Sequence, residues 1–163
     1  MQLIDNSWLE EFKKNYGRAP RILQIGNIAN NGYLNTKLLR AAGIDADILC
    51  LDYYHIMGCP EWEEVPQIGD IENMNFPNWK SGKVVFEKPD WFVQGPAIHC
   101  LDYLYAKHFA KDLKDKAWKQ LQRTAKEESW VRRHGTGSAF GRFLANTVLS
   151  IRRTQNSNFL PFV

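Results

Sequence analysis

Arg21-Ile22-Leu23-Gln24-Ile25-Gly26 is an apolar run that stops at a glycine, and Asn27-Ile28-Ala29-Asn30-Asn31-Gly32-Tyr33 follows it as a polar loop. Leu34 to Gly43 then carries apolar residues at helical spacing, and Ile44 to Asp52 is a second apolar run that ends in an acid. A short apolar run, a glycine-bearing loop, a 3.6-residue period and a second apolar run form the pattern of a β-α-β unit. The class it implies is α/β with a parallel sheet.

Outward from that unit, the amino-terminal side offers Ser7-Trp8-Leu9-Glu10-Glu11-Phe12, a short helix with Ser7 as its cap and Glu10 three residues on. Gly17-Arg18-Ala19-Pro20 breaks it. Arg21 to Ile25 is expected to be a buried parallel strand, and the helix from about Tyr33 to Ala42 to stop at Gly43. Asp52-Tyr53-Tyr54-His55 falls where the second strand meets the carboxyl edge, the side on which open α/β sheets bind ligands.

From Met57 to Pro96 five prolines interrupt the pattern while Trp62, Phe76, Trp79, Phe86, Trp91 and Phe92 recur. A segment of that length is expected to be an ordered aromatic insertion, about 57–96, packed by its own rings. Within it Lys83-Val84-Val85-Phe86 reads as a short strand and Trp91 to Pro96 as an extended run. Ile98 to Trp130 has helical period throughout, and a further helix is expected from Ser138 to Arg152. A polar linker, Thr154 to Asn158, leads into the apolar Phe159-Leu160-Pro161-Phe162-Val163, which reads as the approach to another strand.

Composition narrows the function. With 163 residues, 44% hydrophobic and 24% charged, the chain has the size of one globular domain that buries about two-thirds of its unfolded surface. No apolar run approaches the roughly 20 residues of a membrane span, and Met1 to Asn15 lacks the basic start and apolar core of a secretion signal. The expected location is the cytoplasm. Cys50, Cys59 and Cys100 have no C-x-x-C spacing and read as reduced thiols, with no metal site among cysteines or histidines. A net charge of +3 is too weak to argue for nucleic acid. The basic stretch Lys107 to Arg133 reads as a solvated helix face, with peripheral contact at the inner membrane face as its alternative. The high aromatic content, Trp 6, Tyr 6 and Phe 9, points to rings at a cleft or at an interface, self-association included.

The Gly26 to Gly32 loop has the position of a phosphate-binding turn, because the following helix presents free N–H groups to an anion. It is neither G-x-G-x-x-G nor a P-loop, and a tight strand-helix turn without ligand explains it as well. Asp52 stands where a dinucleotide-binding domain keeps its ribose acid, yet it reads equally as an acceptor for a sugar hydroxyl or as a plain strand-end acid. Tyr53, Tyr54 and His55 offer rings for stacking and polar tips for hydroxyls, and His55 reads equally as a surface loop residue. His99 reads as a partly buried, satisfied histidine, and His108 and His134 carry no signal.

Arg21 to Tyr33, Ala42-Gly43-Ile44-Asp45-Ala46-Asp47, Asp52-Tyr53-Tyr54-His55-Ile56-Met57-Gly58-Cys59-Pro60-Glu61-Trp62-Glu63 and Trp91 to Pro96 resemble the amino-terminal half of bacterial GT-B-type glycosyltransferases. The likeness is to the retaining, nucleotide-sugar-dependent group that builds surface polysaccharides. It implies a Rossmann-like three-layer domain over 1–153, one half of a GT-B fold, with 154–163 as linker and start of a second domain. In such enzymes the first domain mainly holds a glycan or lipid-linked acceptor and the second holds the nucleotide-sugar. Carried over, Gly26, Asn27, Asn31, Gly32 and Tyr33 border the cleft, with Asp52, Tyr53 and His55 nearby, and no cofactor is implied. The donor-gripping residues of the second domain have no counterpart here, so the chain alone is expected to transfer no sugar. The competing reading is a stand-alone nucleotide- or anion-binding Rossmann-like module without catalysis, and a third is a partner-docking domain.

Overall fold

The computed structural model describes residues 7–51, 55–71, 73–75 and 77–135, with 127–135 as backbone only. The expected helix from Ser138 to Arg152 and the segment 154–163 lie outside the described residues. The chain opens with α1 (Ser7–Tyr16), whose Glu10 pairs with Lys13 at 2.9 Å on the exposed side. Leu9 is its one buried residue and packs with Ile44, Ala46 and Leu39.

The β-α-β unit forms as β1 (Arg21–Ile25), α2 (Asn31–Ala41) and β2 (Asp45–Cys50). At the end of α2 the Gly43 N–H bonds to the Arg40 carbonyl at 3.0 Å, and Gly43 takes φ +86°, a conformation that side-chain-bearing residues avoid. A third strand, β3 (Phe92–Gln94), pairs with β2, so the described sheet has the order β1-β2-β3 and both pairings are parallel. The register places Ile25 beside Leu49 and Leu49 beside Val93.

Strand alternation assigns the two faces. Ile48, Cys50 and Phe92 point towards α2 and pack with Tyr33, while Leu49 and Val93 point the other way. There they meet Cys100, Tyr103 and Leu104 of α4 (Ala97–Phe109) and Leu121 of α5 (Lys114–Gly135). The periodic stretch expected as one helix is therefore two: Ala110 leaves the helical region at φ −134°, a 3-10 turn spans Lys111–Leu113, and α5 folds back on α4. Their contact includes Tyr103 against Trp118, with ring centroids 4.7 Å apart.

Two further expectations are corrected. The first concerns β1, which is not buried: Ile22, Leu23 and Ile25 are 39%, 46% and 71% exposed. An apolar strand is buried only by its neighbours, and β1 has one strand partner among the described residues. The second concerns the insertion, where Lys83 to Phe86 is not a strand and Val85 is fully open to solvent. Short backbone links order the insertion, such as Ile56 N–H to Met74 O at 2.7 Å and Val84 N–H to Trp79 O at 2.9 Å. It also contains the five-residue helix α3 (Pro60–Glu64). Among its described rings, Trp91 and Phe92 pack on Tyr33 of α2 rather than on each other.

Charges tie α4 to the sheet. Asp47, buried in the amino-terminal half of β2, accepts from Lys107 Nζ at 2.6 Å and sits 2.6 Å from His108 Nε2. Asp45 is bound by Arg21 at 3.3 Å, and Asp90, just before β3, by Lys114 at 2.9 Å. Burial alone would raise the Asp90 carboxyl, but the Lys114 hydrogen bond and the charges of Lys107, Lys114 and Arg40 outweigh it and hold it below the usual range. Removing one partner of such a group strands the other in low dielectric. Asp47→Ala is therefore expected to lower unfolding stability by about 3–5 kcal/mol. Urea denaturation at neutral pH reads this directly, and a loss below about 1 kcal/mol, the range of exposed ion pairs, would contradict it.

Candidate functional site

The carboxyl edge is shaped by the loop that follows β1. Gly26 bonds back to the sheet through its N–H to Leu49 O at 2.9 Å, and the chain then turns through Ala29 at φ 47° and Asn30 at φ 60°. Asparagine tolerates the left-handed region, whereas alanine there costs roughly 1–2 kcal/mol. The loop is held by its own amides. Asn27, with no exposed surface, donates from Nδ2 to Gly58 O at 2.8 Å and to Asn30 Oδ1 at 3.0 Å. Its Oδ1 accepts the Tyr33 N–H at 2.8 Å, and Asn30 Nδ2 donates to Cys59 O at 2.9 Å. The loop after β1 is thereby joined to the 3-10 turn Ile56–Gly58 that follows β2.

His55 lies on that turn, exposed, its Nδ1 accepting from the Met57 N–H at 3.3 Å. Asn31 is exposed at the start of α2, while Asn27, Gly32 and Tyr33 are buried beneath the edge and Gly26 is half-buried. Asp52 and Tyr53 lie outside the described residues. Around the loop, Ile25, Ile28, Leu51, Met57 and Trp62 remain exposed. The edge thus offers an apolar, partly aromatic rim with the polar tips of Asn31 and His55, a surface suited to stacking and hydrogen bonding.

The phosphate-turn reading loses donors here. The Tyr33 N–H is taken by Asn27 and the Asn31 N–H by Ile28 O, so those two amides near the helix start are satisfied within the protein. Gly32 does not take positive φ. A glycine is required there because a Cβ would lie 2.3 Å from Gly26 O and 2.5 Å from Ile48 Cδ1.

Beneath the rim, sequence reasoning missed a polar group. Glu61 is 5% exposed, with Oε1 3.4 Å from Lys88 Nζ and Oε2 without a hydrogen-bond partner among the described residues. Lys88 donates to Gln94 Oε1 at 2.8 Å and lies over the Phe92 ring. Residues so far apart in the chain carry no spacing signal. The same holds for Asp47, Lys107 and His108, but these sit at the opposite, amino edge and serve the sheet rather than the loop.

Burial pushes the Cys50 and Cys59 thiols up to about 12, with the Lys88 charge opposing. Burial also raises the Tyr33 phenol, and its hydrogen bond to Glu64 at 2.8 Å and the acid's charge add to this. Protonated thiols and a protonated phenol are neither nucleophiles nor bases at neutral pH. The Glu64 carboxyl is held down chiefly by its hydrogen bond from Lys37.

On α5, Lys116, Lys119, Gln120 and Arg123 line a shallow open groove. Among the described residues no three His, Cys, Asp or Glu side chains converge as a metal site, and no helix is long and apolar enough to cross a membrane. Comparison with protein-family models, with characterised proteins and with solved structures yields no match to this chain.

Two outcomes follow from this geometry. Gly32→Ala is expected to cost about 3 kcal/mol, at the upper end of overpacking, because one of its clashes is with rigid backbone; urea denaturation measures it. Cys50 and Cys59 hold their protons more tightly in the folded chain than at the ordinary value of 9.0. Their contribution is fully present below about pH 9 and is lost as pH rises towards 12. The urea midpoint should fall above pH 9, and iodoacetamide at pH 8 should label both thiols far more slowly before unfolding than after.

Proposed function

We propose that this chain is the acceptor-side, amino-terminal domain of a GT-B-type glycosyltransferase, one that transfers a sugar from a nucleotide-sugar during surface polysaccharide synthesis. In this reading the parallel sheet is the core of a Rossmann-like domain, and its carboxyl edge is this chain's share of the cleft. The observation that carries the reading is the joining of the Gly26–Gly32 loop to the turn at 55–59, which brings Ile28, Asn31, His55 and Met57 to one edge. That rim suits the rings and hydroxyls of a glycan or lipid-linked acceptor. The satisfied amides of Asn31 and Tyr33 count against the competing anion-binding module. Donor binding belongs to a second domain, and the enzyme works on the cytoplasmic side with the α5 groove towards the inner membrane face.

Transfer needs donor and acceptor in near-attack geometry, a positioning worth roughly 7–11 kcal/mol of barrier. One side of a cleft does not supply it. The purified chain should therefore show no turnover with nucleotide-sugars and lipid-linked acceptors, and no micromolar donor binding by calorimetry. Amide shifts on titration with acceptor glycans should centre on Ile28, Asn31, His55 and Met57. Micromolar donor affinity, steady turnover, or shifts confined to α5 would contradict the proposal.

A further inference from the structure

The acids of this fold are served unequally. Asp47, its side chain 4% exposed, has Lys107 Nζ and His108 Nε2 each at 2.6 Å. Glu64 of α3, its side chain 25% exposed, accepts from the Tyr33 hydroxyl at 2.8 Å and from Lys37 Nζ. Glu61, three residues before it, lies deeper and has less. Its side chain is 7% exposed, Lys88 Nζ stands 3.4 Å from Oε1, and Oε2 has no hydrogen-bond partner among the described residues. Charge-assisted bonds to a carboxylate are about 2.7–2.9 Å long, and the short bond of Lys88, 2.8 Å, goes to Gln94 Oε1 instead. Leaving a buried carboxylate oxygen unpaired is among the larger single penalties in a fold.

The chain beside Glu61 has little to offer that oxygen. Pro60 carries no N–H, and the Cys59 thiol, a weak donor, points at His55 O at 3.7 Å. The place of the pair in the fold is the carboxyl edge. Gln94 is the last residue of β3, and Cys59, which caps α3, is tied through its carbonyl to Asn30 of the loop after β1. Open α/β sheets bind ligands at this edge. Glu61 is thus a deeply buried, under-served acceptor under the rim that carries Met57 and Trp62, with a cation at its side.

The two charges fix the class of ligand. An anion drawn to Lys88 meets the carboxylate, and a cation drawn to Glu61 meets the ammonium, so neither improves on the pair. A neutral molecule satisfies both when it carries a hydroxyl that donates and a neighbouring oxygen that accepts. The hydroxyl bonds to Glu61 Oε2, and the oxygen takes a proton of the Lys88 ammonium, which has three to give. Adjacent hydroxyls on a sugar ring have this arrangement. We propose that Glu61 and Lys88 form a subsite for two neighbouring hydroxyls of a neutral sugar. The inference rests on the acceptor reading of this edge and names the groups within it that read hydroxyls. Lys88 is the way in: its side chain is 30% exposed, and its flexible four-carbon stem swings aside to open Oε2. The unpaired oxygen is then a strain of the unliganded chain that binding relieves.

Two measurements on the full chain test this. Titration with D-glucose, D-galactose and D-mannose, followed by amide-resolved NMR, should shift Glu61, Lys88 and Gln94 with at least one of the three, and inorganic phosphate should shift none of these residues. Glu61→Gln keeps the size and removes the charge; Glu61→Met removes the polarity as well. Both should lose the sugar response and raise the urea midpoint of the sugar-free chain. Lys88 is partly exposed and stays bonded to Gln94, so neither variant strands a buried charge, whereas an acid with a structural role would move the midpoint down. Sugar shifts that survive both variants, or a midpoint that falls in both, would overturn the proposal. So would shifts of Lys88 and Gln94 with phosphate in place of sugar. Sugar shifts at Ile28, Asn31, His55 and Met57 that leave Glu61, Lys88 and Gln94 unmoved would overturn the subsite and leave the acceptor reading standing. No shift with any of the three sugars would contradict both.

Discussion

The side-chain amide of Asn27 is the junction on which the carboxyl edge depends. It reaches three places at once: the start of α2 through the Tyr33 N–H, the turn after β2 through Gly58 O, and its own loop through Asn30. Each bond contributes only about 1 kcal/mol net, but any of these buried groups left unpaired costs about 1–3 kcal/mol, so the network holds as a unit. The strained backbone at Ala29 persists because the surrounding bonds over-determine it. Without the amide, the polar link left among the described residues between the loop after β1 and the turn after β2 is the Asn30 bond to Cys59 O at 2.9 Å, and Asn30 has itself lost its partner in Asn27.

The core of the fold was legible in the sequence because its determinants are local. Gly43 ends α2 where helical period gives way to a β-rich run, and Gly26 ends β1 where the polar loop begins. Exposure of β1 was not legible, since burial belongs to neighbours rather than to the strand itself. The break at Ala110 was hidden because the apolar period resumes in α5 after only a short 3-10 turn. His108 carried no signal for a similar reason: its partner Asp47 lies 61 residues earlier. The need for glycine at position 32 was not legible either, because it comes from close approach to Gly26 O and the Ile48 side chain, residues brought there by the fold.

The two edges of the sheet divide the work. At the amino edge, Asp45, Asp47 and Asp90 bind the cations of β1, α2, α4 and α5, and these charges fix helix to sheet. At the carboxyl edge the polar groups are mostly amides, and the exposed rim is apolar and aromatic. Such a surface offers shape, stacking and hydroxyl contacts rather than charge, which is what the proposed acceptor-holding role asks of it. The buried Glu61 and the half-buried Lys88 lie under that rim and link α3 to β3 through Gln94.

The most direct test of the Asn27 junction compares residue-resolved hydrogen exchange in the intact chain with that in Asn27→Ala. If the amide joins the two loops, protection falls together at Tyr33, at Gly58 and Cys59 in the turn, and at Ile56, whose N–H bonds to Met74 O. Ile48 in the centre of the sheet stays protected. A loss confined to residues 26–33, with the turn after β2 unchanged, would contradict the account.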